Sequence, residues 1–231
     1  MELNSEKISG LDEILAQISA EQKPHTFRRI CYKPYNMDIA LSVWQKIGSK
    51  IIGKDFQIYE GNKEIIENLI KYAHGDQNCI FDLEKVLALI GPTGTGKTDL
   101  IKIFSFYLNI DNVHYLKNNK AFSFQFKFVT AREIILKYAT NGHTGINNYL
   151  IFDCLCIDDI GSESKISNFY GNSENVVEFI IGERYDMGKI THLTSNYTKE
   201  YLQKEYGDRF FSRICETTNF IEVKGKDFRL E

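Results

Sequence analysis

Eight residues near the middle of the chain, Gly91-Pro92-Thr93-Gly94-Thr95-Gly96-Lys97-Thr98, follow the spacing G-x-x-x-x-G-K-[ST]. Glycines at this spacing let backbone amides turn inward as an anion nest, and a helix starting at about Gly96 adds the positive end of its dipole. Lys97 is placed to reach the β and γ phosphates of a nucleotide, and Thr98 to put its hydroxyl on Mg²⁺. The apolar run Lys85-Val-Leu-Ala-Leu-Ile90 leads directly into the loop, and Leu100 to Leu108 continue as a helix. Strand, glycine loop and helix in that order are what the motif requires, so ATP with Mg²⁺ is the expected ligand.

Such a loop needs a carboxylate from a neighbouring strand to hold the metal. Leu155-Cys156-Ile157-Asp158-Asp159 supplies an acidic pair at the end of an apolar run. Asp158 is the expected metal-side residue, acting through a coordinated water, and Asp159 is placed to polarise the water that attacks the γ phosphate. An aspartate is one methylene shorter than a glutamate, so base catalysis from Asp159 is expected to be slow, with Glu163 as the alternative base. Thr194-Ser195-Asn196 ends a later strand whose C-terminal end should lie beside the acidic pair, where Asn196 could orient the attacking water. A Ser-Asn step at a strand end is equally an ordinary turn.

The elements that would carry these groups alternate. Asn62 is a candidate cap for a helix bearing Ile65, Ile66, Leu69 and Ile70, closed by Gly75. Phe122, Phe124, Phe126 and Phe128 alternate with polar residues in one strand ending at Val129, and Thr130 to Glu133 spell a capping box for a helix to about Tyr138. Strands follow over 153–157, 189–194 and 219–223, with helices over 175–187 and 198–206 between them. Asn109 to Lys120 reads as an exposed loop. This order predicts a doubly wound, mainly parallel five-stranded sheet with helices on both faces. Toward the N-terminus, Leu11, Ile14, Leu15 and Ile18 give a short amphipathic helix with Ser9 as its cap, Lys23 to Tyr35 a linker, and Met37 to Ile52 a second helix. The main domain is expected to begin at Lys54.

Bulk properties narrow the class. With 231 residues there is room for one substantial core and a small appendage, and a net charge of -3 excludes a strongly basic nucleic-acid wrapper. The five cysteines are odd in number and contain no C-x₂-C pair, so they read as reduced thiols; Cys154 and Cys156 fall on a strand and read as packing. No stretch has the roughly 20 apolar residues of a membrane span, and the acidic N-terminus is unlike a signal peptide, which makes the cytoplasm the expected location and a membrane no partner.

Gly91 to Thr98, Ile157-Asp158-Asp159-Ile160-Gly161, Leu193-Thr194-Ser195-Asn196-Tyr197 and Tyr206-Gly207-Asp208-Arg209-Phe210-Phe211-Ser212-Arg213 occur in the order that resembles the DnaC/IstB branch of AAA+ ATPases. The resemblance spans about Lys54 to Arg229, and Glu183-Arg184-Tyr185 is similar as well. It implies an AAA+ (RecA/ASCE-like P-loop) αβα domain over 54–231, without the C-terminal lid of most AAA+ proteins, and a helical partner-docking segment over 1–53.

The same resemblance implies a helicase loader that binds and hydrolyses ATP as an ATP-dependent oligomer and engages single-stranded DNA and a replicative helicase. An IstB-like transposition helper or a nucleotide-gated switch with negligible turnover are the alternatives. It gives Asn196 a sensor role and Arg213 the role of an arginine finger inserted into a neighbouring subunit's site, with Arg209 second in line. Spacing alone would make Arg209 and Arg213 a solvated pair on one helix face. Phe56-Gln57-Ile58 is implied to line an adenine pocket, and Arg132 and Lys137 to border a DNA channel. Lys117, Lys120 and Lys127 with the alternating phenylalanines offer charge and stacking to a single strand, or simply a core face with solvated lysines. Arg229 matches a basic residue near the family's C-terminus without an assigned task.

Overall fold

The computed structural model describes residues 33–110, 114–117, 120–123, 126–163, 167–169 and 172–225. The expected helix at Leu11 to Ile18, most of the linker, Arg229 and the side chains of Lys117, Lys120, Phe122 and Phe124 lie outside the described residues or side chains. Elements run α1 (Met37–Ile52), α2 (Glu60–Ala73), β1 (Val86–Ile90), α3 (Lys97–Ile110), β2 (His114–Lys117), β3 (Lys120–Ser123), β4 (Phe126–Thr130), α4 (Ala131–Asn141) and α5 (His143–Ile151). They continue through β5 (Cys154–Asp158), β6 (Ser167–Phe169), β7 (Asn172–Glu174), α6 (Val176–Asp186), β8 (Ile190–Ser195), α7 (Lys199–Tyr206), α8 (Asp208–Thr217) and β9 (Thr218–Glu222).

Five strands form one sheet in the order β4-β5-β8-β1-β9, and each of its four pairings is parallel. Strand β1 is buried throughout, as expected of a parallel strand covered on both faces. Its side chains divide by the period of two. Leu87 and Leu89 join α1, α2 and α3 in one core, whereas Ala88 and Ile90 join α4, α6, α7 and α8 in the other. Two cores on opposite faces of one sheet make the three-layer αβα arrangement expected from the sequence.

Helix α1 belongs to the first of these cores. Trp44 is fully buried, with its ring 5.6 Å from Tyr107 and 6.4 Å from Phe104, both on α3. The expected division at Gly53 therefore runs through a packed cluster. Gly53 itself ends α1 in the left-handed conformation, its N–H bonded to Ser49 O at 3.1 Å.

Several local expectations need correction. The strand expected from Phe122 to Val129 is two: Lys120–Ser123 pairs antiparallel with His114–Lys117 in a separate hairpin, and Phe126–Thr130 alone enters the main sheet. That hairpin also occupies much of the expected loop over 109–120. Phe126 and Phe128 face the core, with the Phe126 ring 4.9 Å from His192, so these two offer no stacking surface to a nucleic acid. Asn62 is not the cap of α2 but sits in its first turn, accepting the Tyr59 N–H at 2.9 Å and donating to Gln57 O at 3.1 Å. Thr130 accepts the Glu133 N–H as expected, but Glu133 turns to Lys137 at 2.9 Å instead of reaching back, because a charged partner one turn ahead competes with a backbone amide. Helix α5 has no counterpart in the sequence reading, and α8 is the helix on which spacing alone put Arg209 and Arg213.

Candidate functional site

The phosphate loop, the Asp158-Asp159 pair and Asn196 fall at the carboxyl ends of the parallel strands β1, β5 and β8, where open α/β sheets place ligands. The loop after β1 bends through Gly94 and Gly96 at φ of 81° and 82°, a region where a side chain would be strained. Gly91 N–H donates to Ser195 O at 3.2 Å, which fixes the loop to the end of β8. Lys97 opens α3, is buried, and donates Nζ to Pro92 O at 2.7 Å; Thr95 donates its hydroxyl to the same carbonyl at 3.0 Å. The ammonium is thus curled back over its own loop, at the place where phosphates would stand.

The acidic strand β5 was expected beside β1, but β8 stands between them. Thr98 nevertheless reaches Asp158, donating its hydroxyl to Oδ1 at 2.8 Å. The intervening strand contributes Thr194, whose hydroxyl donates to the same Asp158 Oδ1 at 2.6 Å and accepts the Asp159 N–H at 2.9 Å. Asp159 adopts φ of 65°, the one non-glycine residue with positive φ among the described residues, and its carboxylate accepts a hydrogen bond from Asn196 Nδ2. Thr98, Asp158, Asp159, Thr194 and Asn196 therefore form one connected polar group around the phosphate loop.

A cavity of about 1040 Å³ opens over this group. Thr93 to Thr98 form its floor, and Asp158, Asp159, Thr194 and Asn196 one wall. Ile52, Phe56, Gln57 and Tyr59 face them from the segment joining α1 to α2. Phe56 and Gln57 thus stand where an adenine wall was expected; Phe56 and Ile58 both pack against the core, and Ile58 does not line the cavity. Glu163, the alternative base, does not line this cavity. Its carboxylate accepts Gly161 N–H at 2.7 Å and the Tyr206 hydroxyl, and burial raises its pKa above the ordinary 4.5.

Arg209 and Arg213 are not brought to the phosphate loop of their own chain. Both lie on α8 and line a separate groove against α6 with Asn175, Glu178 and Asp186. Arg209 is exposed, while Arg213 stands 3.8 Å from Asp186 and 5.5 Å over the Tyr185 ring. Of the groups implied to border a DNA channel, Arg132 and Lys137 are both exposed, and Lys137 also donates to Tyr149 at 2.6 Å and pairs with Glu133; Lys127, read separately as a source of charge, is exposed as well.

Two polar residues carry weight the sequence reading did not assign. Thr194 is one; its signal is a strand buried at every position that still carries Thr191, His192, Thr194 and Ser195. The other is Arg184, fully buried, which donates to Tyr149 O, Phe152 O and Ile190 O at 2.6 to 2.7 Å and to Thr191 at 2.8 Å. Burial lowers its pKa to about 10, so it stays charged at neutral pH and staples the turn before β5 to the start of β8.

No protein-family model matches the chain, and no curated protein matches it. Among solved structures the chain is similar to DnaI, at 22% identity over 75% of this chain and 87% of that one, with a TM-score of 0.53. It is also similar to domain III of the Thermotoga maritima replication initiation protein DnaA, at 17% identity over 84% and 70% of the two chains, with a TM-score of 0.50. These likenesses are of fold: a five-stranded parallel α/β sheet with flanking helices is shared with DnaI and the DnaA domain. The motif resemblance to the DnaC/IstB branch is thereby joined by a fold shared with DnaI.

Proposed function

We propose that this chain binds ATP with Mg²⁺ and hydrolyses it in an assembly of like subunits, acting in DNA replication as a helicase loader. The observation that carries the reading is the meeting of Thr98 and Asp158 at 2.8 Å across β8, beneath a cavity floored by the phosphate loop. A hydroxyl and a carboxylate are hard oxygen donors suited to Mg²⁺, which keeps most of its waters and takes further ligands from the phosphates.

Each side chain then has a task. Lys97 leaves Pro92 O for the β and γ phosphates, and the amides of Thr93 to Thr98 hold the phosphate oxygens. Thr98 and Asp158 would hold the cation, which when bound would supply charge neutralisation. Asp159 and Asn196, already hydrogen-bonded to each other, flank the position of the attacking water, Asp159 as proton acceptor and Asn196 as orienting group. Phe56 and Gln57 receive the base. Arg213, or Arg209 beside it, completes the site of a neighbouring subunit, because α8 faces away from its own nucleotide cavity.

The replication role draws support from the DnaC/IstB motifs and from the fold shared with DnaI and with the DnaA domain. A replicative helicase is the proposed protein partner, held through residues in 1–53, and single-stranded DNA the proposed nucleic acid. A second reading, a nucleotide-gated switch with negligible turnover, is favoured by the bond that already occupies the Asp159 carboxylate.

Hydrolysis measured against protein concentration separates the readings. A rate per subunit that rises with concentration, and falls about a thousandfold or more in Arg213→Ala with nucleotide affinity retained, is the expected result. No measurable turnover at any concentration would favour the switch, and a rate independent of both concentration and Arg213 would refute assembly. Recovery of a transposase instead of a helicase with the full chain would replace the loader by a transposition helper.

A further inference from the structure

Glu163 is a mostly buried carboxylate that faces away from the phosphate cavity, and both of its oxygens are engaged. Oε2 accepts the Gly161 N–H at 2.7 Å, and Oε1 accepts the Tyr206 hydroxyl. The same amide also reaches the Tyr206 oxygen at 3.1 Å, so amide, carboxylate and phenol close a three-membered ring of hydrogen bonds. Burial raises the pKa of both side chains, which keeps the phenol a proton donor.

The two ends of this ring belong to parts of the site with different tasks. One end is the loop after β5. Asp159 holds a positive φ there, a conformation that persists only where its surroundings over-determine it. Thr194 fixes one side of the loop through the Asp159 and Ile160 amides, and Ser162 bonds back to Asp159 O at 2.7 Å. Gly161, at φ of 88°, is pressed so closely that a Cβ would stand 3.0 Å from Tyr197 and 3.1 Å from Leu202. The other end is Tyr206, the last residue of α7, from which the chain turns at Gly207 directly into α8 with Arg209 and Arg213.

We propose that Glu163 and Tyr206 act as a positioning strut that makes the Asp159 loop and helix α8 move as one unit, so that filling the phosphate site alters the surface carrying Arg209 and Arg213. This rests on the nucleotide reading given above. Two hydrogen bonds join the loop to Tyr206, and a third, from Gly161 to Glu163, holds the carboxylate in place within the loop; such a connection is a physical route by which two surfaces of one subunit respond together.

Hydrogen exchange of the full chain, with and without Mg²⁺ and a non-hydrolysable ATP analogue, tests it in the wild type, Glu163→Ala, Glu163→Gln and Tyr206→Phe. In the wild type the analogue is expected to slow exchange at residues 91–98 and, by at least about fivefold, at 207–213. Glu163→Ala and Tyr206→Phe are expected to keep the response at 91–98 and lose it at 207–213. Glu163→Gln, which keeps hydrogen-bonding atoms toward both Gly161 and Tyr206, restores it. Plain destabilisation would instead speed exchange with and without nucleotide alike. Should Glu163→Ala fail to fold, Tyr206→Phe decides, since it removes a single oxygen. A response at 207–213 that survives in Tyr206→Phe, or that the wild type lacks while 91–98 responds, overturns the strut and leaves the nucleotide site standing. Absence of a response at 91–98 in the wild type refutes the nucleotide site and the strut with it.

Discussion

Thr194 donates its hydroxyl to Asp158 Oδ1 at 2.6 Å and with the same oxygen accepts the Asp159 N–H. One side chain on the strand between the two motifs thus orients the metal-side carboxylate and fixes the backbone of its neighbour. Residues that orient a ligand in this way typically change metal affinity by about 10- to 100-fold when removed. Thr194→Val keeps the shape of the side chain and removes the oxygen. A Mg²⁺ titration of nucleotide binding is expected to shift to at least about tenfold higher concentration. An unshifted curve would mean that Thr98 alone positions Asp158.

Lys97 is buried and bonded to Pro92 O within its own loop. Exchanging that carbonyl for phosphate oxygens replaces a neutral acceptor with a charged one, so the gain on binding nucleotide is large. Lys97→Ala is expected to abolish turnover and weaken ATP binding by at least about tenfold, or about 1.4 kcal/mol. Titration with a fluorescent ATP analogue measures this. Unchanged affinity together with unchanged turnover would refute the assignment of the phosphate site.

Glu163 gives a pH signature independent of nucleotide. Its folded pKa is raised above the ordinary 4.5, chiefly by burial, so the folded chain holds this proton more tightly than the unfolded one. The stabilising contribution is therefore complete below about 4.5 and is lost as pH rises through the raised value. Glu163→Gln does not titrate, and the wild type is expected to lose urea resistance relative to it across that window. Equilibrium unfolding at several pH values checks the direction. A constant difference, or one that grows in favour of the wild type with rising pH, would contradict the buried-carboxyl description.

The phosphate loop and the acidic pair were legible because both depend on contiguous residues whose chemistry allows few substitutes. The αβα layering was legible for a similar reason: β1 and β5 are apolar runs bounded by polar residues. Thr194 was not, since its role depends on β8 entering the sheet between β1 and β5, and strand order is a property of long-range pairing that no local pattern carries. The alternating phenylalanines misled in another way. Phe122 to Phe128 keep the period of a strand, yet the chain divides them between a hairpin and the main sheet, because alternation gives the face of each residue and not the partner of each segment. Glu163 is the alternative base in the sequence because a glutamate is one methylene longer than Asp159. The turn at Gly161 aims it instead at Tyr206, a residue distant in the chain.

The segment before Gly53 offers the sharpest test of where the folded unit begins. A helix that only docks a partner would carry its apolar residues outward, but α1 directs Ala40, Trp44 and Ile47 into the core shared with α2 and α3. Trp44 is the single tryptophan of the chain and is fully buried. Truncating such a side chain to alanine typically costs about 3 to 5 kcal/mol, a large fraction of the 5 to 15 kcal/mol by which a domain is stable. A chain shortened to 54–231 loses this helix entirely and uncovers the faces of Phe104 and Tyr107. It is expected to aggregate or unfold well below the melting temperature of the full chain. A chain shortened to 33–231, which retains α1, is expected to melt well above the 54–231 chain. Thermal unfolding of the three chains distinguishes the alternatives: a stable 54–231 fragment would make α1 an appendage, and its loss of stability makes α1 part of the αβα core, leaving any partner-docking role to residues 1–32 and to the exposed face of the helix.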